Sequence, residues 1–507
     1  MVFKTGRTAG TARKRRMPEK RAQATIRRFG GVFYVRFSVS LHRAEVRMAG
    51  ILKRSDADMT SGVIWKQLIA FSVPMMIGLL FQQMYNTVDT LVVGQFVGKE
   101  ALAAVGSVGS IINTLVGVFN GLSVGATVVI SQCYGAHDDK GLHHAVQTTF
   151  LLTFIMSAAL TAIGIALVDP LLKMMDTPPD VIEGSKTYLT IYFAGIGGLL
   201  IYNMGSGVLR AVGDSRRPLY FLIFSACTNI VLDLVFVLAF RMGVAGVAYA
   251  TIVSELLSCV LVLYTLTNTT ASYRIVWHQL HLNGPMVKRI FNIGLPAAIQ
   301  QALTAFSNVF VQSYINYFGS SCMAGWSIYG KLDVYALIPM QSISMAASTF
   351  IGQNFGAKNL KRAKQGVTQS IALSCAITTV LLTILILARR PLVRCFNSNE
   401  EVIQYAAYFL GVISPFYLVT SFNQIYAGAL RGTGDSRTPM IIMLFSFVVF
   451  RQAYLYVNKL LGNSFLMVAL AYPMGWVVCS ILEFIYYRKS KLYREILDEP
   501  DKQPDAA

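Results

Sequence analysis

LRAVGDSRRP at Leu209–Pro218 is repeated as LRGTGDSRTP at Leu430–Pro439, 221 residues further along the chain, with seven of ten positions identical. A second pair of segments keeps this offset, QCYGA at Gln132–Ala136 and QNFGA at Gln353–Ala357. The FSVP that precedes an early apolar stretch is echoed by IGLP within one residue of the same register. A constant offset across separate motifs indicates that one unit was duplicated.

The repeated turn carries residues that end one helix and begin the next. Gly213 and Gly434 can adopt the left-handed backbone conformation that terminates helices. Asp214 and Asp435 can cap the helix that follows. We therefore interpret each copy as a connector between two helices and not as a binding loop.

The composition is that of a membrane protein. Of the 507 residues, 54% are hydrophobic and 14% are charged, whereas soluble proteins carry about 25% charged residues. Apolar stretches of about 20 residues, long enough to cross a bilayer as helices, recur along most of the chain. They are too long and continuous for barrel strands. The sequence thus predicts an all-α polytopic membrane protein.

Apolar stretches separated by polar turns predict twelve transmembrane helices, six in each copy. Because six is even, both copies enter the membrane from the same side, and a pseudo-twofold axis along the membrane normal should relate the two six-helix lobes. The predicted spans are 66–91, 101–132, 143–168, 187–209, 218–240 and 244–267, then 287–316, 322–353, 366–388, 402–430, 438–459 and 464–487.

This organisation predicts five segments. Residues 59–267 form the N-lobe and 286–490 the C-lobe, joined by a cytoplasmic linker at 268–285. Residues 491–507 form a cytoplasmic tail. Residues 1–58 form a basic tail that we expect to be disordered, with 15 Lys and Arg against 4 Asp and Glu.

Three interpretations of the basic tail remain open. It can bind anionic lipid headgroups, bind nucleic acid, or be upstream sequence included by a misassigned start, with Met59 and Met48 as alternative starts. Nucleic acid is the least favoured, because most of the net charge of +19 lies in this tail and not on a surface of the lobes. We expect no nucleic-acid partner.

Basic residues predict the orientation. The loops that follow even-numbered spans are richer in Lys and Arg, which places both termini in the cytoplasm. We expect the membrane to be a plasma membrane, here a bacterial inner membrane. The seven cysteines show no paired spacing, so neither a disulfide framework nor a zinc site is expected.

Few charged residues fall at membrane depth, where each costs about 2.5–3.5 kcal/mol on insertion scales and is a functional candidate. They are Asp89, Asp233, Glu255, Lys331, Asp333, Arg451 and Glu483, the last expected to reach out of the membrane from a helix end. Asp89 shares a polar helix face with Gln82 and Asn86, and Asp233 follows Asn229 by one helical turn. A buried carboxylate can bind and release a proton, or coordinate Na⁺ together with amide oxygens.

Enzyme motifs are not convincing. GWSIYGKL at Gly325–Leu332 fits a phosphate-binding loop only in part, since Leu replaces Ser or Thr and no strand precedes it. HDDKGLHH at His137–His144 has metal-ligand residue types, but we interpret it as a solvated loop. We therefore expect no enzyme activity, no metal site beyond a Na⁺ site and no cofactor, only a coupling ion.

Together, VDTLVVGQFVG at Val88–Gly98, QNFGA at the end of span 8 and the two LRxxGDSRxP turns resemble the multidrug and toxic compound extrusion (MATE) family. The likeness covers about residues 59–490. It implies an antiporter that expels organic cations and amphipathic compounds in exchange for H⁺ or Na⁺, by alternating access between two lobes.

The resemblance also implies a cation-coupling site in the N-lobe: Asp89 in span 1, Asn229 and Asp233 in span 5, and Thr251 in span 6. Another branch of the family uses an acid in span 7 and one in span 10, and neither span has an acid here. Glu255, Asp333 and Arg451 remain as candidates for a second charged site.

Polar, aromatic and Met side chains suggest a substrate cavity that binds flat ligands promiscuously. The candidates are Gln82, Tyr85, Asn86, Gln300, Gln301, Asn308, Tyr335 and Met340. We expect small organic cations or amphipathic drugs and membrane lipids as partners, and a monomer. The alternative function is a lipid or lipid-linked oligosaccharide flippase of the same superfamily, which would need several cationic side chains in the cavity.

Overall fold

The computed structural model describes residues 58–175 and 177–490, and these are almost entirely helical, with no β-strand among them. Predictions for the N-terminal tail and for 491–507 therefore concern residues outside these ranges, Asp58 excepted. Within the described ranges lie twelve long helices: α1 Ile64–Val97, α2 Lys99–Gly135, α3 Asp139–Met174, α4 Pro179–Ala211, α5 Arg216–Ala239, α6 Gly243–Asn268, α7 Gly284–Asn316, α8 Ser320–Gly356, α9 Leu360–Leu387, α10 Glu400–Gly432, α11 Arg437–Leu460 and α12 in two parts, Phe465–Ala469 and Ala471–Lys489.

The helices agree with the twelve predicted spans and extend beyond most of them. Ten are long and apolar enough to cross a membrane, and α7 and α12 are the two outside that set. Asparagine and aspartate side chains fix several helix starts: the side chains of Asp138, Asn283 and Asn359 each accept a hydrogen bond from a backbone N–H of the first turn.

The duplication is visible in the helix boundaries. α2 and α8, α4 and α10, and α5 and α11 begin and end at positions separated by the same 221 residues as the sequence motifs. In the repeated turn Gly213 has φ 91° and Gly434 has φ 94°, both left-handed. Asp214 accepts hydrogen bonds from the amides of Arg216 and Arg217. The interpretation of this turn as a helix connector is therefore correct.

The lobes meet through reciprocal contacts at the end of the bundle where α2 and α8 finish, which we call the closed end. Gln132 donates to the carbonyl of Gly432 at 2.9 Å, and Gln353 donates to that of Ala211 at 2.8 Å. A Cβ on Gly135 would overlap the backbone of Gln353, and one on Gly356 would overlap that of Gln132. Each contact is the repeat copy of the other, as a twofold interface requires.

The lobes separate toward the opposite end. α2 packs against α7 so closely that a Cβ on Gly121 would overlap the backbone of Ala298. Nearer the start of α2, a Cβ on Gly109 would meet no atom within 4 Å, and the same holds for its repeat copy Gly330 in α8. A cleft between the lobes therefore opens away from the closed end.

The first helix of each repeat begins against the other lobe. Leu68 and Phe71 of α1 belong to a core cluster with Ile343 and Phe350 of the C-lobe. Conversely, Ile290 of α7 belongs to the N-lobe core. The main cores otherwise stay within one lobe each.

The linker at 268–285 is ordered and packs on α3. His144 and His281 are hydrogen-bonded at 2.9 Å, and Gln147 donates to the carbonyl of Arg274 at 2.9 Å. One expectation at membrane depth is wrong: Glu483 is 0% exposed and does not reach out of the membrane. It lies near Arg431, at the end of α10.

Candidate functional site

A small polar cavity lies inside the N-lobe among α1, α4, α5 and α6. Its apolar walls come from residues such as Leu199 and Leu222, and hydroxyl, amide and carboxyl groups point into it from all four helices. The polar lining includes Gln82, Tyr85, Tyr202, Asn229, Thr251 and Glu255.

Two carboxyl groups lie side by side next to this cavity. Asp89 is one helical turn beyond Tyr85 on α1, Asp233 is one turn beyond Asn229 on α5, and the two carboxyls contact each other. Asp233 is 0% exposed. The helical spacing of Asp89 with Tyr85, and of Asp233 with Asn229, therefore brings both acids to one place.

The oxygens of this pair are unusually short of partners. Oδ1 of Asp89, both carboxyl oxygens of Asp233 and both polar atoms of the Asn229 side chain are buried with no hydrogen-bond partner among the described residues. Leaving a buried polar group unpaired costs about 1–3 kcal/mol. A proton or a small cation between the carboxyls would satisfy these oxygens.

The helical hydrogen bonding changes directly after each carboxylate. α1 becomes π-helical at Val93–Val97 and α5 at Val235–Ala239. These two segments lie next to each other. Single π-helical turns inside α-helices are frequent at functional sites, and here they mark the layer of the carboxyl pair.

Thr251 completes the set that the family resemblance implied. Its hydroxyl donates to the carbonyl of Val247 at 3.0 Å, and its oxygen also meets the hydroxyl of Tyr188 from α4. Tyr188 interacts electrostatically with Asp89 and Asp233. The structure thus places Asn229 and Thr251 in the lining of the cavity and the carboxyl pair of Asp89 and Asp233 beside it.

The three candidates for a second charged site are not together. Glu255 lines the N-lobe cavity and interacts with Asp89. Asp333 and Arg451 lie in the C-lobe, where Tyr472 interacts with both of them. Glu255 therefore extends the first acidic site.

In the C-lobe, neutral groups surround each charge. Asp333 accepts hydrogen bonds from the hydroxyls of Tyr329 at 2.9 Å and Tyr417 at 2.5 Å. Arg451 is 3% exposed and donates to Ser307 and Asn308. These groups differ from those of the N-lobe cavity in having their polar atoms largely paired.

The proposed substrate-lining residues are spread over the molecule. Gln82 and Tyr85 line the N-lobe cavity, whereas Asn86 and Gln301 are exposed. Gln300 donates a hydrogen bond to the sulfur of Met443, and Asn308 accepts one from Arg451. Tyr335 is half-buried, and Met340 is buried in the C-lobe core. Of this set, Gln82 and Tyr85 belong to the lining of the N-lobe cavity.

Sequence reasoning missed the contribution of α4. Tyr188 and Tyr192 stack with ring centroids 6.2 Å apart beside the acidic cluster, and both interact with Glu255. Their spacing of four residues in YLTIY put them on one helix face. That spacing could have indicated a polar face on an otherwise apolar helix.

Comparison with known proteins agrees with this architecture. The family model MatE matches residues 74–235 and 296–457, one segment in each lobe. The probable multidrug resistance protein YpnP of Bacillus subtilis is 30% identical over 85% of this chain and 96% of its own length. YoeA of the same organism, also named a probable multidrug resistance protein, is 27% identical over 84% and 94%.

The fold has counterparts among solved structures. A MOP superfamily transporter from Pyrococcus furiosus superimposes with a TM-score of 0.82 at 22% identity, over 88% of this chain and 99% of its own. An outward-facing multidrug resistance MATE family transporter of the same superfamily gives 0.81 at 23% identity, over 86% and 98%. The chain belongs to the MATE family and is a multi-span membrane transport protein.

Proposed function

We propose that this protein is a secondary active antiporter that exports organic cations or amphipathic drugs in exchange for H⁺ or Na⁺. The observation that supports this most is the adjacent carboxyl pair of Asp89 and Asp233, whose buried oxygens have no hydrogen-bond partner among the described residues. The multidrug resistance names of the relatives are consistent with it.

Coupling follows from the charge of this pair. Two ionised carboxylates in contact repel each other in a low-dielectric site, so one proton or one Na⁺ between them is strongly favoured. Binding neutralises charge between α1 and α5 and draws the two helices together. Release restores a negative site that an organic cation from the cleft can neutralise instead.

Alternating access needs the lobes to move relative to each other. The cleft opens away from the closed end, where Gln132, Gln353 and the two glycines beside them hold the lobes together. We assign the closed end to the cytoplasm of a bacterial inner membrane, because the loops at this end are the richer in Lys and Arg. In this state the drug would leave to the outside and the coupling ion would enter.

The test is transport by the purified full chain in proteoliposomes. Efflux of a fluorescent organic cation is measured under an imposed pH gradient and, separately, under a Na⁺ gradient. Asp89→Asn and Asp233→Asn should each abolish gradient-driven transport, since an amide neither binds a proton nor carries charge. Asp180→Asn, at an exposed position near the start of α4, is the matched control and should transport normally.

Full gradient-driven efflux by both variants would refute the coupling role of the pair. The response to each gradient distinguishes H⁺ from Na⁺ coupling. Movement of a fluorescent lipid without movement of any organic cation would support the flippase alternative. That alternative needs several accessible cationic side chains, and Arg451 is 3% exposed.

A further inference from the structure

Arg451 is a buried cation without a carboxylate partner among the described residues. Its Nη2 donates to Oγ of Ser307 at 2.8 Å and to Oδ1 of Asn308 at 2.8 Å. The guanidinium lies 4.6 Å from the ring centroid of Tyr472. The hydroxyl of Tyr472 in turn donates to Asn308 at 3.2 Å. The charge is therefore held by neutral oxygens and an aromatic ring.

The duplication shows what this place corresponds to in the N-lobe. Between α6 and α12 the offset is 221, so Tyr472 is the counterpart of Thr251. Between α1 and α7 it is 222, set by Pro74 and Pro296, so Ser307 corresponds to Tyr85 and Asn308 to Asn86. The guanidinium thus contacts the counterparts of Thr251 and Tyr85, which line the N-lobe cavity, and of Asn86, which lies one residue further along α1.

The acidic residues of the N-lobe cation site have no acidic counterparts in the C-lobe. Val311 stands where Asp89 would be, Phe450 where Asn229 would be, and Tyr454 where Asp233 would be. Arg451 follows Phe450 directly, after the π-helical segment Phe445–Phe450. The N-lobe offers two carboxylates to an exchangeable cation, whereas the C-lobe carries its cation covalently, as the side chain of Arg451.

We propose that the C-lobe retains the repeat copy of the cation site as a guanidinium site, and that Arg451 occupies it permanently. An arginine is not deprotonated in proteins, so this copy does not exchange its cation. Only the N-lobe copy would then bind and release an ion in each cycle. That last consequence rests on the proposed antiport function, whereas the guanidinium site itself does not.

The surroundings fit a guanidinium better than a simple ammonium. Ser307 and Asn308 both accept from one nitrogen, Nη2, and Nε of Arg451 is buried with no hydrogen-bond partner among the described residues. The preference rests on Tyr472, whose ring faces the planar group, because a planar, weakly hydrated guanidinium stacks on an aromatic ring. Tyr472 also interacts with Asp333, which accepts hydrogen bonds from two tyrosine hydroxyls.

This assignment predicts chemical rescue. Arg451→Ala would leave a void that keeps the two oxygens and the aromatic face, and methylguanidinium matches the deleted group. We measure thermal unfolding of the purified full chain in detergent against methylguanidinium and against N-methylurea, its neutral analogue. Tm of Arg451→Ala should rise saturably with methylguanidinium and stay unchanged with N-methylurea, because only bound ligand stabilises the native state.

Wild type and Arg390→Ala, which removes an exposed arginine in the short helix Arg389–Arg394, should show no such rise. Arg451→Lys should be less stable than wild type and unresponsive, because its ammonium fills the site without the planar group that faces Tyr472. If Arg451→Ala does not fold, Arg451→Gln takes its place. The measurement is then the yield of folded protein from cells grown with and without methylguanidinium. Equal responses of Arg451→Ala and Arg390→Ala, or equal effects of methylguanidinium and N-methylurea, would overturn the proposal.

The titration needs no transport, so its failure is separate from failure of the antiport function. Full gradient-driven efflux by Asp89→Asn and Asp233→Asn together with methylguanidinium rescue would refute the coupling role of the carboxyl pair alone. Absence of rescue together with loss of coupling in Asp89→Asn would refute the C-lobe site alone.

Discussion

Removing the two glutamines of the closed end should open it to water. Gln132 donates to Gly432 and accepts from Arg289 at 3.1 Å. Gln353 donates to Ala211 and accepts from the amide of Met59 at 3.0 Å. Gln132→Ala and Gln353→Ala therefore each remove two hydrogen bonds across this end, and the double variant removes four.

The expected magnitude follows from the net contribution of one hydrogen bond, about 1 kcal/mol. Each single variant should weaken the closed end by about 2 kcal/mol and the double variant by about 4 kcal/mol. Since about 1.4 kcal/mol corresponds to a factor of ten, the open fraction should increase about 30-fold in each single variant and about 1,000-fold in the double.

Cys133 is a built-in reporter, because it is buried and follows Gln132 in the chain. In a chain that keeps Cys133 as its only cysteine, the rate of maleimide modification is proportional to the open fraction when opening is fast. Gln404→Ala, at an exposed position on α10, is the matched control and should leave the rate unchanged. A double variant that reacts within twofold of the parent chain would refute the role of these contacts.

Three further changes test other parts of the structure. Gly121→Val should destabilise the lobe interface, because the added side chain meets the backbone of Ala298. Its Tm should be lower than that of Gly109→Val, where the added side chain enters open space. Arg362→Ala removes the hydrogen bonds from this arginine to the chain segment before α1, including 2.8 Å contacts with Gly62 and Ser61. Proteinase K, which needs no basic residue, should therefore cleave that segment faster, and equal cleavage would contradict this role of Arg362. Asn229→Ala should raise the ion concentration for half-maximal transport about 10-fold without changing expression, since about 1–2 kcal/mol of ligand interaction is lost; an unchanged value would exclude Asn229 from the ion site.

The repeats, the number of helices and the connector turns were predictable because their signals are local. An apolar stretch predicts its own helix, and glycine and aspartate predict the turn they build, as Gly213 and Asp214 do. The pairing of Asp89 with Asp233 came from a family resemblance, and helical spacing within each span could not show that the two acids meet.

Other features depend on which helices are neighbours, and the sequence of one helix does not contain that. Glu255 joins the N-lobe acids, although the sequence grouped it with Asp333 and Arg451 as a candidate for a second charged site. Met340 faces the C-lobe core and not a cavity. Glu483 is buried near a helix end because α10 brings Arg431 close to it.

The position of α1 against the C-lobe also bears on how the chain is made. Phe71 leaves the ribosome before its partners Ile343 and Phe350 exist, and the intervening synthesis takes on the order of 10–50 s at typical translation rates. During that time the first half of the protein is in the membrane without the surface that α1 packs against. Completion of the N-lobe therefore waits for insertion of the C-lobe, so that the two repeats mature as one unit.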